Sequence, residues 1–191
     1  VFSLTDHNKY NNKKIIIVDI QPSYRIHMNM DMHEFTSWLN HHDYLDVLYL
    51  YNGPDMGYED EYEIKDWLYD YGLDSDRNIT FYEKGYGFFR NLMDLKVDDE
   101  QIITLGKYMI QNDINDSRDI TEDVNGVNSK YINNEDYVMS IPDLVDELKD
   151  FLDEGDKPLM IGGGEYQCFK EVELLLKMID IQCDRESEFI Y

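Results

Sequence analysis

Four β-branched residues in a row, Ile15-Ile16-Ile17-Val18, end abruptly at an acid, Asp19. A run this short and this uniformly apolar suits a strand buried on both faces, the kind found inside a parallel sheet. The pattern recurs along the chain. Val47-Leu48-Tyr49-Leu50-Tyr51 stops at the turn formers Asn52-Gly53-Pro54-Asp55, Ile79-Thr80-Phe81-Tyr82 leads into Glu83-Lys84, and Pro158-Leu159-Met160-Ile161 runs into Gly162-Gly163-Gly164. A last strand is expected somewhere between Ile181 and Tyr191.

Between these runs the apolar residues shift to helical spacing. Met32, Phe35, Trp38 and Leu39 repeat from a capping-box-like start at Asp31 and Glu34; Ile64, Trp67, Leu68 and Tyr71 are closed by Gly72. Phe88, Phe89, Leu92 and Met93 predict a third helix. Leu144, Val145, Leu148, Phe151 and Leu152 predict another, with Ser140 as N-cap and Gly155 as stop, and Phe169, Val172, Leu176 and Ile179 a long final one. Strands alternating with helices predict an α/β fold, a three-layer doubly wound, mainly parallel sheet with helices on both faces. The length of 191 residues suits one domain over 1–191, with a helix-plus-loop insertion at about 96–138.

Hydrophobic residues make up 42% of the chain and aromatics 14%, enough to build a core despite its charge. Asp and Glu number 41 against 17 Lys and Arg, a formal net charge of −24 that disfavours direct nucleic-acid binding and anionic lipid surfaces. The same surface suits capture of a basic partner, even as a DNA mimic. No apolar run approaches the roughly 20 residues that span a bilayer, and no signal-peptide core is visible, so neither a membrane nor export is expected. Two cysteines, Cys168 and Cys183, point to reduced thiols in a cytoplasmic setting.

In parallel sheets, ligands bind beyond the carboxyl ends of the strands, which singles out Asp19, Asp55, Lys84 and the segment from Gly162 to Cys168. Cys168 falls in the opening turns of a helix, where the dipole and a nearby ammonium favour the thiolate. Asp19 is placed to accept a proton, Lys84 to stabilise charge, and Gly163 and Gly164 to let a carbonyl approach backbone N–H groups. Gln21, Tyr24, Tyr86, Phe88 and Tyr166 are the remaining candidate contacts to a small-molecule substrate. The five histidines show no zinc spacing, and His41-His42 reads as the end of an exposed helix. No metal and no cofactor are expected.

Val18-Asp19-Ile20-Gln21, Glu83-Lys84-Gly85-Tyr86-Gly87-Phe88-Phe89 and Gly162-Gly163-Gly164-Glu165-Tyr166-Gln167-Cys168, in that order, resemble the isochorismatase-like cysteine hydrolases. The resemblance spans residues 15 to about 180. It implies Asp19 as proton acceptor, Lys84 as stabiliser of the thiolate and transition state, and Cys168 as nucleophile in hydrolysis of an amide or similar bond. The nicotinamidases of that family carry Asp-x-His after the second strand; here Asp55-Met56-Gly57 has no such His, so a metal-independent member is implied. Hydrolases of this shape often pair subunits, so a homo-oligomer is possible.

Two other classes fit parts of the pattern. A magnesium-dependent PIN-like nuclease or phosphatase would use Asp19 with Asp55, Asp113 or Asp116. A non-catalytic acidic binding or viral accessory protein would keep an enzyme-like fold and use its surface charge.

Overall fold

The computed structural model describes residues 13–85 and 88–191. Its sheet contains β1 (Ile15–Val18), β2 (Val47–Tyr51), β3 (Thr80–Glu83), β4 (Leu159–Gly162) and β5 (Asp184–Arg185), in the order β3-β2-β1-β4-β5. Every pairing is parallel. The fold class is therefore the expected α/β one, consistent with a three-layer arrangement. The chain adds strands outward from β1 to β3, then returns to the other side of β1 for β4 and β5. The order thus reverses between β1 and β4, the topological switch point at which such sheets bind ligands.

Register places the chemistry-bearing residues level with one another. Val18 pairs with both Leu50 and Gly162, and Tyr51 pairs with Glu83. Asp19, Asn52, Lys84 and Gly163 consequently emerge at the same carboxyl edge.

Two compact units partition the chain. The described part of the first comprises 13–84, 154–169 and 183–191. Its core sets Ile15 and Ile17, which share one face of β1, against helix α1 (Met32–His41) through Met32, Phe35, Trp38 and Leu39 and against helix α2 (Glu61–Asp70) through Ile64 and Leu68. Asp31 caps α1 by accepting from the backbone N–H groups of His33 and Glu34. The reciprocal capping box forms one helix later, between Asp60 and Glu63. His42 does not end α1 in solvent: it is buried, its Nδ1 lying 2.8 Å from the Trp38 carbonyl oxygen and its ring against the Trp38 indole.

The second unit comprises 85–153 and 170–182, Tyr86 and Gly87 aside. It holds helices α3 (Arg90–Asp94), α4 (Asp99–Gln111) and α5 (Leu144–Phe151) and most of α6 (Cys168–Met178). After α4 the expected loop is pinned by short 3-10 turns whose first polar side chains, such as Asp116 and Asn128, cap the turns. Ser140 is not the N-cap of α5. It makes an antiparallel bridge with Asp116 and donates its N–H to the Phe88 carbonyl, so the helix begins only at Leu144. The α5 C-cap is Leu152, and Gly155 turns the chain afterwards with φ of 88°. Among the described residues no helix is long and apolar enough to cross a membrane.

Candidate functional site

Asp19 is fully buried and lies in the left-handed region with φ of 50°, a conformation that costs a non-glycine residue energy. Its backbone is fixed from two sides: its N–H donates to the Leu50 carbonyl at 2.9 Å, and its carbonyl accepts from the Tyr191 hydroxyl at 2.7 Å. Tyr49 donates to the next carbonyl, that of Ile20. The backbone kink turns Asp19 away from the path of the strand.

The ammonium of Lys84 stands 3.0 Å from Asp19 Oδ2, and the two side chains are 4% and 1% exposed. This is a buried ion pair, whose partners depend on each other. The 3.0 Å approach of the ammonium neutralises the carboxylate by charge.

Lys84 gives its other resolved bond to Asn52 Oδ1 at 3.0 Å. Because an ammonium only donates, that contact fixes the amide's orientation and turns Nδ2 towards the Tyr24 hydroxyl, 2.9 Å away. The Asn52 backbone is held as firmly, its N–H by Gln21 Oε1 at 2.9 Å and its carbonyl by Gln21 Nε2 at 3.1 Å. Gln21 Nε2 also reaches Glu59 at 2.8 Å. Burial pushes the Glu59 carboxyl up, but hydrogen bonds from Ser23 and Gln21 outweigh it and hold the group below its ordinary range.

A cavity of about 550 Å³ lies alongside, within the size range of small-molecule sites. Tyr24, Tyr166 and Tyr191 give it aromatic walls, and His27 contributes from the 3-10 turn Pro22–His27. Gly164, Glu165, Gln167 and Cys168 line it from the turn that opens α6. That turn needs glycine. Gly162 and Gly163 have φ of 82° and 67°; a Cβ on Gly162 would overlap the Val18 carbonyl oxygen, and one on Gly163 would sit 2.9 Å from the Phe169 nitrogen. The backbone after β4 thus turns back against β1 and delivers Cys168 as the first residue of α6.

Tyr191 joins the cavity to the ion pair. Its N–H donates to the Gly163 carbonyl at 3.1 Å, its carbonyl accepts from Glu165 N–H at 2.8 Å, and its hydroxyl holds Asp19. Burial first, then the charges of Asp19 and Cys168, push its phenol well above the ordinary range. Tyr24 is raised in the same way by burial, its hydrogen bond to Tyr58 and the Asp19 charge, with Asn52 opposing. Both phenols stay neutral at physiological pH.

Of the residues singled out from sequence, Asp19 and Lys84 meet directly. Cys168, Tyr24, Gly164 and Tyr166 line the adjoining cavity, and Gly163 shapes its backbone. Gln21 is fully buried as a bracket for Asn52 rather than lining the cavity. Phe88 belongs to the second unit, Tyr86 lies outside the described residues, and Asp55 is exposed on the 3-10 turn Pro54–Met56. Asn52 and Tyr191 were not anticipated. Asn52 immediately follows β2, so the rule that selected Asp19 could have found it. Cys168 and Cys183 are both half-buried thiols.

Comparison with protein-family models, with curated proteins and with solved structures finds no match.

Proposed function

We propose that this chain is a metal-independent cysteine hydrolase of the isochorismatase-like kind, cleaving an amide or similar bond of a small molecule. The observation that carries the reading is Asp19: a fully buried carboxylate on a strained backbone, charge-paired with Lys84, at the switch point beside a cavity lined by a thiol. Such an acceptor suits a proton in transit.

In this mechanism Asp19 takes the Cys168 proton, directly or through one water, and Sγ bonds to the substrate carbonyl carbon. The carbonyl electron pair moves to oxygen. Its collapse expels the amine, which takes the proton from Asp19 and leaves a thioester on Cys168. Water then adds to the thioester and gives a proton to Asp19; collapse breaks the C–S bond, the acid departs, and the thiolate takes that proton back from Asp19 to restore the thiol. Lys84 keeps the net charge of the site low while the proton moves.

Asp19 has the Lys84 ammonium as its countercharge, which favours this reading over a magnesium-dependent nuclease or phosphatase. Incubating the intact chain with a panel of small amides and esters, then reading its mass after rapid acid quench, tests it. An acyl adduct mapped to Cys168 and lost in Asp19→Asn is expected. Turnover that survives Cys168→Ala would contradict it.

A further inference from the structure

We infer that the cavity beside Cys168 selects its ligand by charge, admitting neutral or cationic small molecules and rejecting carboxylates and phosphates, with Glu165 as the specificity-determining residue. This deepens the proposed hydrolase reading and rests on it only for what happens after binding.

Among the described residues that line the cavity, no Lys or Arg appears; Glu165 does, from the turn between β4 and α6. Lys84 and Arg185 each stand beside a carboxylate. Lys84 is buried against Asp19, so the pair presents no net charge to an incoming ligand. Arg185 stands 3.7 Å from Glu165, a long contact between side chains 41% and 47% exposed, and its guanidinium lies 5.1 Å from the Phe169 ring centre. At that distance and exposure the contact holds neither side chain tightly, and Glu165 is the charged group that reaches the cavity wall.

The tyrosines add to the bias. Tyr24 and Tyr191 turn their hydroxyls to Asn52 and Asp19 and remain neutral phenols, so with Tyr166 they give the lining aromatic rather than anionic or cationic groups. Aromatic faces attract cations and offer an anion nothing. The surrounding field has the same sign, because the chain carries a formal charge of −24. A bound carboxylate would lose water and, among the described lining residues, gain no Lys or Arg partner.

Cys168 makes the selection measurable without knowing the natural substrate. Two methanethiosulfonates of similar size, one bearing a trimethylammonium group and one a sulfonate, are allowed to modify the full chain at pH 8, above the ordinary imidazole range. The rate at Cys168 is read by peptide mass mapping, with Cys183 mapped separately. Dividing the cation-to-anion rate ratio by that of a free thiol cancels intrinsic reactivity, so the result holds whether or not the thiol is an activated nucleophile. The expected ratio is roughly tenfold in favour of the cation at low salt. Glu165→Gln should cut it about two- to fivefold, Glu165→Lys should reverse it, and added salt should shrink it. A normalised ratio near one, or a preference unchanged in Glu165→Gln and Glu165→Lys, overturns the inference. Loss of acyl-adduct formation with the ratio intact would count against the hydrolase reading alone.

Discussion

A carboxylate without accessible surface is kept folded only by what stands beside it, and for Asp19 that is Lys84. Lys84→Met should cost about 3–5 kcal/mol of unfolding free energy, because it leaves an uncompensated buried charge. Combining it with Asp19→Asn should recover most of that loss. Urea titrations of the two single variants and the double one test this; losses that simply add would show that the two side chains do not depend on each other. Asn52→Leu, which strips Lys84 and Tyr24 of a partner while leaving the backbone contacts of Gln21 in place, should cost more than Tyr24→Phe, which removes one hydroxyl. Glu59 supplies a pH dependence. Its folded pKa lies below the ordinary 4.5, so its stabilising contribution is complete above that value and fades as pH falls through the folded pKa. Acid titration of stability should therefore show a shallower acid limb in Glu59→Gln, and an unchanged limb would contradict the assignment. Asp19 and Lys84 were legible in the sequence because each directly follows a strand. Tyr191 was not, since its place depends on backbone pairing to Gly163 and Glu165 across the switch point, which no local pattern encodes.

At the level of elements, the strand runs were readable because a strand buried on both faces admits little but apolar residues, and β1, β2 and β4 are buried throughout. Helix starts were less so. Ser140 has the chemistry of an N-cap, but its backbone is taken by Asp116 and Phe88, and tertiary pairing overrode the local preference. The glycine turn after β4 combines conformation and close approach, and the two can be separated experimentally. Gly57 and Gly162 share a φ of 82°, yet a Cβ on Gly57 meets nothing within 4 Å whereas one on Gly162 strikes the Val18 carbonyl. Gly57→Ala should cost only the left-handed penalty of about 1–2 kcal/mol, and Gly162→Ala about 1–3 kcal/mol more. Equal midpoints in thermal unfolding would mean that the backbone after β4 does not press against β1 as described.

For the whole molecule, the charge of −24 opposes compaction through self-repulsion. Raising NaCl from about 0.02 M to about 0.5 M should raise the melting temperature, because screening relieves more repulsion than it weakens exposed ion pairs. A falling melting temperature would contradict this. Composition and periodicity were sufficient for the fold class, since both depend on averages over many residues. The site depends on a few exact neighbours, and the sequence order of Asp19, Lys84 and Cys168 could indicate only which strand ends to examine. Whether those ends act together is tested most directly by the rate at which dilute iodoacetamide alkylates Cys168 in the intact chain at pH 6.5, compared with a free thiol and with Asp19→Asn. The proposed hydrolase predicts labelling about tenfold or more above the free thiol, and loss of that advantage in Asp19→Asn. Labelling no faster than a free thiol, or equally fast in both proteins, would contradict it.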